Sequence, residues 1–148
     1  MHSISTPKLM QKRINYKNVL LEIYDYLEKK IIECERNKIK RSQIIIDPGI
    51  GFGKNLKQNL NLIKNISLFH SLGVAILLGT SRKSFISKIS KNALENERLG
   101  GSISSVIFGL SQGVQIFRVH DVMETRQAID VYNQIRNTQW KNFLEQME

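Results

Sequence analysis

Three short, largely apolar runs constrain the fold of this chain more than any other feature of its sequence. They are Gln43–Ile46, Val74–Leu78 and Val114–Phe117, and each is followed by a cluster of glycine and polar residues. Runs without polar alternation are typical of parallel strands that are buried on both faces. The segments between them have the spacing of amphipathic helices, so strands and helices alternate. The pattern predicts a parallel sheet covered by helices, either a small doubly wound domain or part of a (β/α)8 barrel.

The helices of the first half can be bounded by their apolar spacing and by capping residues. Apolar residues three and four positions apart predict a long amphipathic helix from Lys17 to Ile39. A second helix is expected to begin after Asn55, which is a capping residue, and to be broken by Gly73. The residues expected on its inner side are Leu56, Leu60, Ile63 and Phe69.

The second half of the chain predicts three more helices. A short one covers residues 83–90, and a longer one covers residues 98–111. The longer helix contains Gly100, Gly101 and Gly109, which are expected to permit close packing. Asp121 is expected to cap the last helix, residues 122–136, and residues 137–148 are expected to form a frayed tail.

Length and composition indicate one globular domain over residues 1–148. The chain is 41% hydrophobic and 24% charged, and no segment approaches the run of about 20 apolar residues that a membrane helix needs. We therefore expect no membrane span. The first residues lack the apolar run of a secretory signal, and Cys34 is the lone cysteine. These features favour a reducing cytoplasm.

The net charge of +9 raises the possibility of nucleic-acid binding, because clustered cations gain from contact with a phosphate backbone. The positive surplus, however, is spread along the whole chain and forms no basic stripe. There is also no aromatic platform for stacking bases. We expect no nucleic-acid partner.

Polar clusters follow all three predicted strands. They are residues 47–54 (DPGIGFGK), residues 79–84 (GTSRKS) and residues 118–121 (RVHD). Parallel strands present their carboxyl ends on one side of a sheet, where the ligand sites of α/β folds lie. The three clusters are therefore expected to form one site that contains a carboxylate, lysine, arginine and histidine.

The residue types in these clusters suit an anionic, heterocyclic ligand. Asp47 can accept two N–H donors of a flat heterocycle, and Arg118 with His120 can hold phosphate oxygens. Ser81 to Ser84 lie where a helix begins, which favours an anion or a carbonyl group. Plainer interpretations stay open from the residues alone: a tight glycine turn, a serine-capped helix and a structural histidine.

Taken together, the clusters resemble the dihydropteroate synthase family. The family signatures DPGxGFGK, SRKS and RVHDV occur here in the family's order, together with ERLxGS at residues 97–102. The opening residues are similar to the stretch after the family's fifth barrel strand. Ser5, Ile50 and Ser87 depart from residues that are common in the family. The resemblance implies a partial TIM barrel, namely its C-terminal half with about strands 5–8 and their helices.

The resemblance implies roles for the residues nearest to the substrates. Asp47 would bind the amino and ring N–H groups of the pterin, and Met1 would line that pocket. Lys83 would lie between the pterin and para-aminobenzoate sites. Phe52 and Ser84 would line the para-aminobenzoate site.

The remaining roles concern the pyrophosphate. Arg118 would stack on the pterin and, together with His120, hold the pyrophosphate. Lys83, Arg118 and His120 are therefore the expected catalytic residues, and Gly79 and Arg82 are expected among the substrate-binding residues. The implied cofactor is Mg²⁺, whose ligand in the family lies in the first half of the barrel, so this chain is expected to hold no metal ligand.

The implied function is synthesis of dihydropteroate from 6-hydroxymethyl-dihydropterin pyrophosphate and para-aminobenzoate. A barrel usually needs about 250 residues, so 148 cannot complete one. We therefore expect a truncated chain or one product of a split gene, which needs the N-terminal half or pairs as a homodimer. The alternative is an inactive or repurposed half-barrel that binds a pterin or an anion weakly, or serves as a scaffold for a partner.

Overall fold

The structure is a computed structural model of the chain, and it describes residues 1–3 and 15–138. Three parallel strands form one sheet in the order β1-β2-β3. The predicted alternation of helices and strands is confirmed, and most elements end one to three residues inside their predicted bounds. The elements are α1 (Val19–Arg36), β1 (Ile45–Ile46), α2 (Leu56–Lys64), β2 (Ala75–Leu78), α3 (Ser84–Ile89), α4 (Leu99–Ser111), β3 (Ile116–Phe117) and α5 (Val122–Asn137).

Helix α1 covers the sheet with one apolar stripe. Asn18 caps the helix, because its side chain accepts hydrogen bonds from the backbone N–H groups of Leu20 and Leu21. The buried residues of the helix are Val19, Ile23, Leu27 and Ile31, as the three-and-four spacing predicts. This stripe forms one side of the apolar core.

The second predicted helix is divided in two, which corrects the sequence-based expectation. Helix α2 ends at Lys64, and Phe69 lies in a separate 3-10 segment, Ile66–Leu72, where it is fully buried. Leu60, which was expected on the inner side, is 39% exposed. A 3-10 helix has fewer residues per turn than an α-helix, so the side chains after Lys64 point in different directions from those of a continued α-helix. One stripe of apolar residues therefore does not continue from α2 into the 3-10 segment.

The sheet buries one face and leaves the other partly open, which corrects the expectation of strands buried on both faces. Ile46, Ile76 and Leu78 are buried beneath the helices, whereas Ile45 is 53% exposed. Ile45 pairs with Ala75 in register, so both side chains lie on the open face. In a complete barrel this face would be covered by the opposing strands.

Helix α4 packs closely because of two of its three glycines. A Cβ atom at Gly101 would lie 2.4 Å from Ile86 Cγ2, and one at Gly109 would lie 2.6 Å from Leu78 Cδ2. At Gly100 a Cβ atom would meet nothing within 4 Å, so the expectation of close packing was wrong there. Small residues let α4 approach both α3 and the sheet.

Helix α5 begins after Asp121, but this residue makes no capping hydrogen bond through its side chain. The carboxylate binds Arg82 instead, which corrects the predicted cap. The predicted tail, residues 137–148, falls outside the described residues from 139 onward. Within the described ranges, no helix is long and apolar enough to cross a membrane.

Candidate active site

The predicted polar clusters meet in one cleft at the carboxyl ends of the three strands. The cleft has a volume of about 410 Å³. Seven of the nine residues assigned to the substrates from the sequence line it, together with three others. The lining residues are Asp47, Phe52, Gly79, Ser81, Arg82, Lys83, Glu95, Arg118, Val119 and His120.

A larger and more open cavity, of about 630 Å³, lies at the amino ends of the same strands. Among its lining residues, the Arg41 guanidinium is already bound to Glu35 and to the carbonyl oxygen of Leu72. The first cleft is therefore the candidate site, because the predicted polar clusters line it at the end of the sheet where α/β folds bind ligands.

The loop after β1 is shaped by glycines and by Asp47. The backbone N–H of Gly49 donates to Asp47 Oδ1 at 2.7 Å, which turns the chain immediately after the strand. Gly49 has a φ of +73°, and a Cβ atom there would lie 2.0 Å from the carbonyl oxygen of His2. Only glycine fits this position, so the loop places Asp47 at the rim with one carboxylate oxygen committed to the turn.

Lys54 holds the same loop together from inside, a role that the sequence did not reveal. Its Nζ atom donates to the carbonyl oxygens of Gly49 at 2.8 Å and Phe52 at 2.9 Å, and lies 3.2 Å from His2 Nδ1. Lys54 is only 3% exposed. Burial lowers the pKa of Lys54 to about 8, and burial together with the Lys54 charge lowers the pKa of His2 to about 4.

Lys83 projects from the end of the second loop onto the first. Its Nζ atom lies 4.6 Å above the centre of the Phe52 ring and donates to the carbonyl oxygen of Ile50. Burial lowers the pKa of Lys83 to about 8, with Arg118 adding to the effect and Asp47 opposing it. The ammonium group is thus influenced by the charges of both the carboxylate and the guanidinium of the site.

The loops after β2 and β3 are joined by side-chain hydrogen bonds. His120 donates its backbone N–H to Ser81 Oγ at 3.2 Å, and its ring Nδ1 lies 3.0 Å from the same oxygen. Arg82 Nε donates to Asp121 Oδ2 at 3.1 Å. This hydrogen bond holds the pKa of Asp121 below its usual range. The four residues fix the two loops relative to each other.

Comparison with known proteins identifies the family that builds such a site. Residues 1–120 match the family described as pterin binding enzyme. The chain belongs to this family. Dihydropteroate synthase of Escherichia coli strain K12 is 40% identical over 131 residues, which are 88% of this chain and 46% of that protein.

Two solved structures of dihydropteroate synthase from Thermus thermophilus share the fold of this chain over about half of their length. The complex with 6HMPPP covers 92% of this chain and 54% of that one, with a TM-score of 0.87 and 31% identity. The complex with 4-aminobenzoate covers 88% and 53%, with a TM-score of 0.84 and 32% identity. The resemblance seen in the sequence and the partial-barrel fold are confirmed. The chain spans about half the length of these relatives.

Two residues named from the sequence lie outside the cleft. Met1 is 57% exposed and lines a separate groove against α1 and β1. Ser84 is exposed at the first position of α3, where Lys83 occupies the N-cap position without a capping side chain. Arg82 does line the cleft, but its guanidinium is paired with Asp121. Arg82 therefore acts in the structure as a link between loops.

The residues that hold the first loop in place through hydrogen bonds to its backbone were not found from the sequence. Asn59 donates to the carbonyl oxygen of Lys54 and accepts from the N–H of Gly51, so it anchors the first loop to α2. The sequence does show Lys54 directly after a glycine-rich turn and Asn59 five residues later. Neither position has a spacing that predicts these hydrogen bonds. Glu95 was not singled out from the sequence and reaches the cleft only through the fold.

The described residues do not form a metal site of their own. No group of three His, Cys, Asp or Glu side chains within residues 1–3 and 15–138 could hold a metal ion. Among the residues that line the cleft, Lys83 and Arg118 are cations that suit an anionic ligand. The arrangement can bind a flat heterocycle at Asp47 and an anion at Arg118 and His120.

Proposed function

We propose that this chain carries the leaving-group side of a dihydropteroate synthase site. The reaction condenses 6-hydroxymethyl-dihydropterin pyrophosphate with para-aminobenzoate and releases pyrophosphate. The observation that carries the proposal is the single cleft that contains Asp47, Lys83, Arg118 and His120. The family and the names of the matching relatives support it. Because the chain spans half of those relatives, the full activity requires residues that it does not contain.

Asp47 is the group assigned to the pterin. One of its oxygens accepts the N–H of Gly49, so the other oxygen and the free lone pairs can accept the amino and ring N–H groups of the heterocycle. Lys54 keeps the loop closed beneath it through two carbonyl oxygens. The carboxylate is therefore held in place before the substrate binds, which lowers the cost of binding.

Arg118, His120 and Lys83 are assigned to the reacting end of the substrate. The bond between the pterin methylene carbon and the pyrophosphate oxygen breaks, and its electron pair leaves with the pyrophosphate. The ring delocalises the resulting cation, and the aryl amine attacks the methylene carbon and loses a proton. Cationic groups that stabilise the departing oxygens supply the catalysis, together with the positioning of the amine.

The remaining parts of the proposal lie beyond this chain. Mg²⁺ would be held by residues of the first half of the barrel, since the described residues offer no metal site. The partner is a chain that supplies that half, or a second copy that covers the open face. We place the protein in the cytoplasm, in keeping with the free thiol of Cys34.

The proposal is tested by substrate binding in a reconstituted assembly, defined as this chain combined with the N-terminal half of the Escherichia coli relative. Calorimetry measures its affinity for the pterin pyrophosphate. Asp47→Asn should weaken binding by about tenfold or more, because a charged acceptor is lost. Asp25→Asn, an exposed change on α1, is the matched control.

Equal affinity for inorganic pyrophosphate and for the pterin pyrophosphate would contradict the proposal. It would mean that the cleft recognises only the anion. The weak anion-binding alternative would then describe the chain better.

A further inference from the structure

Ser81 makes two contacts with one residue of the cleft. Its hydroxyl oxygen accepts the backbone N–H of His120 at 3.2 Å and lies 3.0 Å from Nδ1 of the same histidine. Ser81 is 5% exposed, so the hydroxyl is shielded from solvent. His120 lines the cleft, and Nε2 is the ring nitrogen that the serine leaves free.

The hydrogens in this pair can be assigned by counting donors and acceptors. The hydroxyl oxygen already accepts one N–H, and its own hydrogen has no other acceptor in the described part of the chain. If Nδ1 carried a hydrogen, the buried hydroxyl hydrogen would have no partner, which is costly. If Nδ1 accepts, every group is satisfied and the ring hydrogen lies on Nε2.

We infer that Ser81 is a positioning residue that holds His120 in the tautomer with its hydrogen on Nε2, so that this N–H is presented to an anionic oxygen in the cleft. The anionic ligand rests on the proposed function, whereas the tautomer follows from the structure alone. Ser81 acts through His120 and is not assigned a contact with the substrate.

The surroundings of Ser81 keep its hydroxyl in a fixed place. The next residue, Arg82, donates its backbone N–H to Ser102 Oγ at 2.8 Å and binds Asp121 through its guanidinium. Arg98 donates to the carbonyl oxygen of Arg82 at 2.8 Å. Removing the Ser81 hydroxyl therefore breaks only its contacts with His120 and leaves the Arg82–Asp121 pair that also joins the two loops. The effect of its removal can thus be attributed to His120.

The first test reads the tautomer directly. Nitrogen-proton correlation spectra of the histidine rings are recorded on the full chain, labelled with ¹⁵N, both alone and in the reconstituted assembly. Wild type should show His120 with the hydrogen on Nε2, and Ser81→Ala should show a mixture of tautomers. Ser81→Cys, which keeps a weak donor, should lie between them. Ser104→Ala, an exposed change on α4, should match wild type.

The second test is a double-mutant cycle with inorganic pyrophosphate as the probe. Ser81→Ala should weaken binding about three- to tenfold, as expected for the loss of one well-oriented hydrogen bond. In a His120→Ala background the same change should have no further effect, because Ser81 acts through that ring. A purely structural role would weaken binding equally in both backgrounds.

The outcomes separate this inference from the proposed function. Hydrogen on Nδ1 in wild type, or an unchanged tautomer in Ser81→Ala, overturns the inference about Ser81. Wild-type pyrophosphate affinity in His120→Ala leaves the tautomer result standing and counts against the proposed role of His120 with the leaving group.

Discussion

Neighbouring groups hold the ammonium group of Lys83 and the backbone of Arg118 in the cleft. Lys83 is fixed by a carbonyl oxygen and by the face of the Phe52 ring. Arg118 begins the third loop, where its backbone N–H donates to the carbonyl oxygen of Leu78 at 3.1 Å. A preorganised charge such as the Lys83 ammonium group stabilises a transition state without reorganising during the reaction. Removing the charge of either residue should therefore affect turnover more than folding.

Lys83→Ala and Arg118→Ala should each reduce turnover of the reconstituted assembly by roughly a hundredfold or more, since each charge is expected to supply about 2 to 4 kcal/mol of transition-state stabilisation. The rate of dihydropteroate formation is the measurement. Lys88→Ala, an exposed lysine on α3, is the control and should keep the wild-type rate. Wild-type turnover in either cleft variant would show that the residue has been assigned the wrong role.

His2 should make the stability of the chain depend on pH. Its pKa is lowered from 6.5 to about 4 in the folded chain, so on acidification the unfolded chain takes up a proton first. The free energy of unfolding should therefore fall as the pH drops from 7 to 5, by about 1 kcal/mol from this group after allowance for solvent screening. Urea unfolding of wild type and His2→Gln at both pH values measures it. Parallel losses in the two proteins would show that His2 contributes nothing.

Helix α4 is packed so closely against its neighbours that two of its glycines leave no space for a side chain. It approaches the sheet so closely that a methyl group at Gly109 would overlap Leu78 and lie 3.1 Å from the Phe117 ring. A methyl group at Gly101 would likewise overlap Ile86 on α3. Interiors are packed densely enough that one extra carbon must displace its neighbours. This contact also sets the position of Ser102, which binds the second loop of the site.

Gly109→Ala should therefore destabilise the chain by about 1 to 3 kcal/mol, because the added methyl group overpacks the contact with the sheet. Gly100→Ala on the same helix meets open space and should be neutral or stabilising by up to about 1 kcal/mol. Thermal or urea unfolding of the two variants measures the difference. Equal effects of the two changes would mean that α4 lies further from the sheet than described.

Helices and strands with a strong periodic pattern of apolar residues were predicted correctly from the sequence. Elements whose conformation depends on tertiary contacts were not. The stripe of α1 and the apolar run of β2 are strong local signals, and both elements were found. The 3-10 turn before Phe69 has no such signal, because its winding follows from packing against the core. Asp121 has the residue type of a helix cap, yet an arginine 39 positions earlier takes its carboxylate. Lys54 was not recognised because its partners meet only in the folded loop.

The whole molecule leaves apolar surface uncovered on more than one side. Ile45 on the open sheet face is 53% exposed, and Met123 and Ile135 on α5 are 80% and 72% exposed. Burial of apolar surface is worth about 25 cal/mol per Å², so a few hundred Å² left in water costs several kcal/mol. That is comparable with the marginal stability of a whole domain, roughly 5 to 15 kcal/mol.

The purified chain should therefore associate with a second copy or with the complementary half, or else bind apolar dyes and aggregate. Sedimentation and dye binding measure this, with the reconstituted assembly as the comparison. A compact monomer with one cooperative urea transition would show that the open face is tolerated in water.

The most direct test of the proposed function is dihydropteroate formation from the pterin pyrophosphate, para-aminobenzoate and Mg²⁺. The purified chain alone should give no turnover, because groups that act as a unit lose activity together. The reconstituted assembly should turn over, and Arg118→Ala should reduce that turnover by roughly a hundredfold or more. Clear turnover by the monomeric chain alone, or an inactive assembly that nevertheless forms and binds both substrates, would contradict the proposed function.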